Sequence, residues 1–480
     1  MGRYYWLILI SLVSGSILNA QKEDVNWVFG IGCGINFENP EDPVIFLSNA
    51  ENFEASASIS DTSGQLQFYL AKDVLLNRFN DTLLNGAEIN ISGTYAGGIV
   101  IVPFSKASQL YHLFHVGQVD HVGLEWGYER LYHSVVDMTM DNGRGGVLTK
   151  NELLLDEVLN EGISVVKHAD GVSWWLILHE NVEIAGADCT NTFFKYLIQG
   201  AFISGPFTQD IGTPDCISDY PGGRTKFFST GDRMIYMDYA DVSTELFDFD
   251  RCSGELSNPV SLGKNVPAYG AETSPDGRYL YLADILGHNL LFQYDLLATN
   301  IPASLQIIEA NPNGFDGIRQ MLLAPNGKIY ISSEVGFTFP QYISVITHPN
   351  LPGAECGYEP FSFYLGEDAF TLGDLPNMPN YNLGAMDGEP CITAIEHLEE
   401  TGSGLRIYPN PASDYLHMDN IAGFDYVIIY DLFGKQVTSA NILNEDEIVD
   451  ITGLYNGMYT IVFHVKGGLL RAERFVKLGY

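Results

Sequence analysis

The stretch Ser274–Asp284, SPDGRYLYLAD, joins a tight-turn signal to a run of strand-forming residues. Asp276 and Gly277 tolerate the positive φ that hairpin turns require, and the tyrosines and leucines that follow favour a strand. The combination recurs along the chain, since β-rich runs follow turn signals at positions 64, 108, 171, 231, 277 and 327. The steps between these positions are 44, 63, 60, 46 and 50 residues.

A repeat of about 50 residues with four short strands per unit is typical of the blades of a β-propeller, which belongs to the all-β class. Two further stretches carry no such turn, namely Trp27–Phe37 and Phe370–Leu383. Joined in one composite blade, they would close the ring and remove exposed strand edges. We therefore favour seven blades over six. A pair of β-sandwiches is the main alternative, but it does not account for the recurrence.

The composition excludes two classes of partner. The 480 residues include 60 Asp and Glu against 24 Lys and Arg, so this acidic protein has a formal net charge of −36. Because there is no excess of basic residues to contact phosphates, binding to nucleic acid or to bare anionic lipid is not expected.

The first twenty residues predict a secretory signal peptide. Arg3 precedes the apolar run Tyr4–Val13, and a cleavage site follows between Ala20 and Gln21. A buried N-terminal helix is the alternative interpretation. The apolar run is too short to span a membrane, and no later stretch of about 18 apolar residues predicts a transmembrane segment.

Export would place the cysteines in an oxidising compartment, where six of them allow up to three disulfides. Cys189 and Cys216 close the shortest loop, but the spacing does not decide the pairing, and buried free thiols are the alternative. The candidates are Cys33, Cys189, Cys216, Cys252, Cys356 and Cys391.

The repeat ends near Gly384, where a polar stretch of small residues begins. Seven short strand-forming runs after it predict a small immunoglobulin-like β-sandwich behind the propeller. We therefore predict a signal peptide over 1–20, a β-propeller over 21–387, a linker over 388–404 and a C-terminal β-sandwich over 405–480.

The tail resembles the C-terminal sorting domain of the type IX secretion system. The residues that carry the resemblance are Tyr408-Pro409-Asn410-Pro411, Tyr430-Asp431-Leu432-Phe433-Gly434, Leu454 to Tyr459 (LYNGMY) and a basic and apolar ending. The resemblance implies that the secretion machinery carries the protein through the periplasm to the cell surface or the medium. It also implies removal of the tail by a sortase-like peptidase, followed by release or attachment to surface lipopolysaccharide.

The sorting motif has a physical interpretation as well. Pro409 and Pro411 would fix an extended approach to the first strand, and Gly434 and Gly457 would lie in hairpin turns, where a permissive backbone is needed. Tyr459 completes the set of motif residues.

The propeller segments are similar to WD40-like and TolB-like propellers found in secreted proteins of gliding Gram-negative bacteria. SPDGRYLYLAD and the stretch 247–259, FDFDRCSGELSNP, carry this similarity. It implies a fold and a location, but no catalytic residue.

The sequence offers little chemistry. It contains no nucleophile elbow, no HExxH helix and no phosphate-binding loop. The densest histidine region holds His112, His115, His121 and His133, but neighbours three apart in a strand point to opposite faces. Asp137 and Asp141 suggest a calcium loop only weakly, because Thr139 and Leu148 replace expected ligands.

Two other groups of polar residues are predicted to be structural. His179 and Glu180 end a strand after Trp174-Trp175, which we expect to pack in the core, and they have no visible catalytic partner. Asp248, Asp250 and Arg251 are expected to form an Asp–Arg pair within a blade.

These observations predict an exported propeller, at the cell surface or secreted, that acts as a binding module without catalytic activity or a cofactor. Its ligand, a protein or a glycan, stays open. The alternative is a secreted hydrolase or lyase that degrades polysaccharide or peptide from the central channel. A pair of carboxylates at the channel mouth would favour the enzyme, and a uniformly apolar, sealed channel would disfavour it.

Overall fold

The computed structural model is built almost entirely of β-strands. It describes residues 22–53, 55–92, 97–105, 108–118, 129–181, 189–215, 222–238, 243–263, 266, 268–284, 290–310, 316–335, 340–386, 391, 406–421, 424–430, 436–442, 444, 446–465 and 468–478. The helical elements of these ranges are single turns, at Met140–Gly143, Pro302–Ser304 and Gly353–Cys356.

Strands β1 to β26 form seven antiparallel sheets, and in each sheet the strands follow one another in chain order. The first two sheets have three strands each: β1 (Asn26–Phe29), β2 (Ile31–Asn36), β3 (Val44–Glu51); β4 (Ser58–Ser60), β5 (Leu66–Ala71), β6 (Val74–Asn77). Five sheets of four strands follow: β7 (Ile99–Pro103), β8 (Leu110–Gln118), β9 (Glu129–Asp137), β10 (Gly146–Leu155); β11 (Ser164–Lys167), β12 (Trp174–His179), β13 (Thr190–Gln199), β14 (Phe202–Asp215); β15 (Gly223–Phe227), β16 (Arg233–Asp238), β17 (Ser243–Phe249), β18 (Leu256–Ser261); β19 (Ala268–Thr273), β20 (Tyr279–Asp284), β21 (Leu290–Asp295), β22 (Gln306–Ala310); β23 (Asp316–Leu323), β24 (Ile329–Val335), β25 (Tyr342–Ile346), β26 (Tyr358–Tyr364).

The six predicted turns join the first and second strands of sheets two to seven. Gly171 and Gly277 have φ values of 71° and 70°, and the glycines at 64, 231 and 327 are also in the left-handed region. In each of these five turns the glycine N–H donates to the carbonyl three residues earlier. The turn signals therefore identified the repeat correctly, because this backbone geometry is the one that glycine favours.

The first strands of neighbouring sheets lie side by side around an axis. Glu272 in β19 lies against Leu323 in β23, and Ser164 in β11 lies against Thr225 in β15. The ring is closed by aromatic contacts from the last sheet to the first, since Trp27 lies 5.7 Å from Tyr330 between ring centroids. The chain folds as a β-propeller, and its seven sheets are the blades.

The first blade is built differently from the others. Val28 in β1 donates to Ser58 in β4, and Asn26 donates to Ser60, so β1 runs antiparallel to the neighbouring inner strand. In contrast, β19 and β23 run in the same direction. Strand β1 thus occupies the second position of its blade, and within the described residues the first blade has no inner strand of its own.

Residues 370–383, which we call the axial segment, occupy the vacant inner position. Phe370 and Ile31 exchange two backbone hydrogen bonds of 2.8 Å, and Asn382 lies at the opposite end of β1 beside Asp24. The sequence thus predicts correctly which two stretches lie together, but not how they are joined. Instead of a full strand ladder, a single bridge pairs the segment with the first blade.

The axial segment is held by hydrogen bonds from many blades. The Asn377 side chain donates to the carbonyls of Gly97 and Ile163, at 3.0 Å each, and its backbone N–H donates to Ser56. The Tyr381 hydroxyl donates to the Ile101 carbonyl at 2.8 Å. A single segment therefore connects the second, third and fourth blades, and it joins the large core between them.

A buried carboxyl group fixes the start of this arrangement. Asp374 is completely buried, and its Oδ2 accepts hydrogen bonds from the Ser56 hydroxyl and from the Gly30 backbone N–H. Its Oδ1 has no hydrogen-bond partner among the described residues. Burial raises the pKa of Asp374 to about 7, although the two hydrogen bonds oppose the shift.

The chain beyond the axial segment is clamped between the fourth and fifth blades. Arg251 donates to the Gly384 carbonyl at 2.6 Å and to the Lys167 carbonyl at 2.7 Å. A disulfide joins Cys252, in the turn after β17, to Cys391, with 5.5 Å between their Cα atoms. This covalent bond fastens the end of the propeller to its fifth blade.

A separate module follows, built from two sheets around one apolar core. Its strands are β27 (Arg406–Tyr408), β28 (Tyr415–Asp419), β29 (Tyr426–Tyr430), β30 (Gln436–Asn441), β31 (Glu447–Asp450), β32 (Gly457–Val465) and β33 (Gly468–Lys477). Strands β27, β28 and β31 form one sheet, and β30, β29, β32 and β33 form the other. Because both sheets bury side chains in the shared core, the module is a small β-sandwich.

We expect the Asp374→Asn variant to lose part of the pH dependence of stability. The folded protein keeps a proton on Asp374 between about pH 4 and pH 7, whereas the unfolded chain has released it. The contribution of this carboxyl to the free energy of unfolding therefore falls as the pH rises through that window. Denaturant unfolding of both proteins should be measured at several pH values. As the pH rises through this window, the free energy of unfolding of the variant should increase relative to that of the wild type, with a slope that corresponds to about one bound proton.

The matched control is Asp42→Asn, at an exposed position in the turn between β2 and β3. Its unfolding curves should stay parallel to those of the wild type across the same pH range. Equal slopes for Asp374→Asn and the wild type would contradict a buried, protonated Asp374.

The double variant Cys252→Ser/Cys391→Ser should be markedly less stable than the wild type. The disulfide spans 139 residues, and closing a loop of that size contributes about 3–5 kcal/mol on the chain-entropy estimate. Denaturant unfolding under non-reducing conditions measures the difference. An unchanged midpoint would show that the clamp at Arg251 holds the segment without the covalent bond.

Candidate binding site on the propeller axis

The axial segment leaves a cavity of about 190 Å³ beside the inner strands. Its walls come from β11, β15, β19 and β23, from Trp27 of the first blade and from the axial segment between Asn377 and Asn382. The cavity lies at the ends of the inner strands where the recurring turns begin, so we call it the turn-face cavity. Asn380 and Asn382 are exposed and lie at its rim.

An ion pair lies in the wall of the turn-face cavity. Lys226 Nζ is 3.0 Å from Glu272 Oε2, and the lysine side chain keeps 26% of its surface exposed while the glutamate keeps 5%. Glu272 also accepts backbone hydrogen bonds from Thr273 and Leu323. The glutamate is therefore fully engaged as an acceptor, whereas the lysine still presents donor capacity to the cavity.

Two residues of the lining carry unpartnered polar atoms. Trp27 Nε1 and Asp24 Oδ1 are shielded from solvent and have no hydrogen-bond partner among the described residues. Burial raises the pKa of Asp24 to about 7, and the neighbouring charge of Glu23 adds to the shift. Such atoms are costly to leave unpaired, which makes this wall of the cavity receptive to a hydrogen-bonding group.

A smaller cavity of about 60 Å³ lies on the other side of Asn377. It is bordered by Arg224, whose guanidinium forms a buried ion pair with Glu161 at 2.7 Å and stacks 3.6 Å from the Tyr269 ring centroid. Asn377 and Lys226 border both cavities. The axis is thus divided by the axial segment into two separate spaces.

The described histidines of the predicted histidine region are buried and contact neighbouring residues of the fold. His112 Nδ1 lies 2.9 Å from His133 Nε2, while His115 contacts the Asn90 carbonyl and the Ser134 hydroxyl. Burial lowers the pKa of His112 and His115 to about 4, and burial also lowers the pKa of His133 well below its ordinary value. The contact of His112 with His133 joins two strands, so sequence spacing alone did not reveal it. His121 lies outside the described residues.

One of the two weak calcium candidates accepts local hydrogen bonds. Asp137 Oδ1 accepts from the backbone N–H and the hydroxyl of Thr139, and Asp141 lies in the single helical turn that follows. Within the described parts of the chain, no group of three or more His, Cys, Asp or Glu residues is arranged to hold a metal ion.

The paired residues at strand ends also have local partners. His179 contacts the Glu180 carbonyl and stacks on Tyr236, with 4.2 Å between ring centroids. The Glu180 carboxylate accepts from the Thr190 hydroxyl. Burial lowers the pKa of His179 to about 4, so the ring is neutral at physiological pH. Both tryptophans, Trp174 and Trp175, are buried.

The expected Asp–Arg pair has a different arginine. Asp248 pairs with Arg233 of the adjacent strand at 3.2 Å, while Asp250 accepts from the Cys252 backbone N–H. Arg251 instead donates to backbone carbonyls, among them that of His168. The prediction failed for Arg251 because these acceptors come from another blade and from Gly384, just beyond the axial segment.

The cysteines do not all form disulfides. Cys252 pairs with Cys391, and Cys189 is also disulfide-bonded. Cys216, which the shortest loop would pair with Cys189, lies outside the described residues. Cys33 and Cys356 are free, buried thiols, the alternative named from the sequence, so fewer than the permitted three disulfides form.

The sorting motif lies where the sandwich begins. Tyr408 in β27 stacks on His417, and its hydroxyl donates to Asp419 at 2.9 Å. Asn410 Oδ1 accepts from the Val476 backbone N–H at 2.9 Å. The peptide bonds before Pro409 and Pro411 are both cis, a feature that the predicted extended approach did not include.

Two other motif residues can be placed. Gly457 begins β32 and does not occupy the predicted turn. Tyr459 is buried in the sandwich core, and its hydroxyl donates to the Tyr455 carbonyl at 2.9 Å. Gly434 and the cleavage site at Ala20 and Gln21 lie outside the described residues.

Comparison with solved structures returns proteins of low identity. A putative 6-phosphogluconolactonase from Bacteroides uniformis is 13% identical with a TM-score of 0.43, and covers 73% of this chain and 98% of its own. A Lactobacillus plantarum protein is 12% identical with a TM-score of 0.38, and covers 83% and 98%. PorZ of Porphyromonas gingivalis, a surface component of the type IX secretion system, is 9% identical with a TM-score of 0.29, and covers 95% and 74%.

The fold assignment rests on the sheet topology described above, because these TM-scores are below 0.5. A search of the curated proteins gives no match. Among the described residues, no helix is long and apolar enough to cross a membrane. Residues 406–476 match the family model of the secretion system C-terminal sorting domain. The C-terminal module is therefore a type IX secretion sorting domain, and it marks the protein for export to the outer cell surface or the medium.

Proposed function

We propose that the exported propeller is a binding module without catalytic activity. The observation that carries this proposal is the axial segment, which occupies the channel that a channel-based hydrolase or lyase would need for its substrate. Asn377 and Tyr381 hydrogen-bond to inner strands and fix the segment in place. A substrate chain could pass along the axis only if these contacts were broken.

Two of the carboxyl groups near the axis, those of Glu272 and Asp374, support the same proposal. Glu272 is held by Lys226 and by two backbone N–H groups, so its carboxylate is engaged within the protein. Asp374 is completely buried against Ser56 and Gly30, where no substrate reaches it. A pair of carboxylates flanking a bound glycosidic bond is thus not assembled from these residues.

We also propose the individual steps by which the protein is exported. A signal peptide cleaved between Ala20 and Gln21 would bring the chain to the periplasm, and the secretion machinery would then engage residues 405–480. A sortase-like peptidase would remove this module within 388–404, and the propeller would be released or attached to lipopolysaccharide. This proposal rests on the sorting-domain resemblance.

Deletion of residues 405–480 should leave a folded propeller in the periplasm. The truncated chain keeps both Cys252 and Cys391, so formation of that disulfide reports correct folding of the retained protein. Cell fractionation and protease accessibility of intact cells measure its location. Efficient display or release of the truncated chain would refute the sorting role.

The binding function itself is tested with the mature, full chain on arrays of glycans and of surface proteins. We expect binding to at least one ligand and no release of products from polysaccharides or peptides. Turnover of a substrate by the purified protein, at a rate that follows protein concentration, would overturn the proposal in favour of the enzyme.

A further inference from the structure

We propose that the turn-face cavity binds one neutral, polyhydroxylated ring, either a free monosaccharide or the terminal sugar residue of a glycan. This inference rests on the proposed binding function and names the chemical class of its ligand. It is drawn from the size, the charge balance and the hydrogen-bonding groups of the cavity.

The size of the cavity fits one ring. Its volume is about 190 Å³, and an enclosed protein cavity of about 150 Å³ accommodates a benzene-sized molecule. A six-membered ring with hydroxyl substituents therefore fits, whereas a second ring would extend past the rim at Asn380 and Asn382. Both asparagines are exposed, so the ring can enter from solvent on this side.

The charges of the lining favour a neutral ligand. Lys226 and Glu272 balance each other, and Asp24 adds a second carboxyl group to the lining. An anion would meet two carboxyl groups here, in a protein of net charge −36. A cation would approach the partly exposed ammonium of Lys226. The charges of the lining therefore match neither an anion nor a cation well.

The unpartnered polar atoms of the lining favour a ligand that carries hydroxyl groups. Trp27 Nε1 can only donate and Asp24 Oδ1 can accept, and both atoms lack a partner among the described residues. A hydroxyl group does both, so adjacent hydroxyls of one ring can serve the two atoms. Because both atoms are shielded from solvent, the side chains that cover them must move when a ring in the cavity bonds to them. The apolar wall at Phe227 and Phe228 then faces the C–H groups of the ring.

The test is calorimetric titration of the mature, full chain with D-glucose, D-galactose, D-mannose and N-acetyl-D-glucosamine. Inorganic phosphate and choline serve as the anionic and cationic probes. A hexose with its few non-hydrogen atoms should bind with a dissociation constant on the order of 1 mM or below. Oligosaccharides that end in the same sugar distinguish the two sources: tighter binding indicates a glycan end, and weaker binding indicates the free sugar.

Two variants connect the binding to this cavity. Asn382→Trp places a large side chain at the exposed rim and should weaken sugar binding at least tenfold. Asp24→Ala keeps the cavity open but removes the acceptor, and should weaken it several-fold. The matched control is Asn300→Trp, in an exposed turn of the sixth blade, which should bind as the wild type does.

The outcomes separate this inference from the proposed function. Binding of phosphate or choline in preference to all four sugars, or sugar binding that Asn382→Trp leaves unchanged, would overturn the cavity assignment. If the arrays show a ligand while no sugar titrates, the binding function stands and the cavity assignment falls. If neither experiment shows a ligand, both proposals fall.

Discussion

The closure of the ring depends on one segment that is not part of any sheet. Seven sheets around an axis leave backbone carbonyls of the inner strands facing the centre, and each buried carbonyl needs a donor. Asn377 supplies three donated hydrogen bonds to three successive blades, and Tyr381 supplies another. Many propellers close by adding a strand to the first blade. Here, polar side chains of the axial segment replace most of that ladder.

The elements that depend on local chemistry were predictable, and those that depend on distant contacts were not. The turns at Gly171 and Gly277 need glycine for their own backbone geometry, so the sequence marks them directly. The orientation of β1 carries no such mark, because it is decided by pairing with a segment more than 300 residues away. Residues Phe370–Leu383 were recognised as lacking a turn, but not as the filling of the channel.

The candidate site illustrates the same limit. Lys226 and Glu272 lie 46 residues apart in the chain, on neighbouring inner strands, and nothing between them indicates that they pair at 3.0 Å. Asp374 was not singled out either, since a single aspartate in a loop-like stretch looks exposed. Its burial follows from the path of the axial segment between Ser56 and Gly30. The residues that line the axis thus became visible only once the blades were arranged around it.

The position of the disulfide determines what happens to the propeller when the sorting domain is removed. Cys391 lies before the sorting domain, which begins at Arg406, and its partner Cys252 lies within the fifth blade. Any removal of the tail after Cys391 therefore leaves the end of the propeller covalently fastened. The sandwich also has a core of its own, so its loss exposes none of the apolar residues that hold the axial segment. A propeller closed by hydrogen bonds at the axis and by one covalent bond at its rim can be separated from its sorting domain without opening.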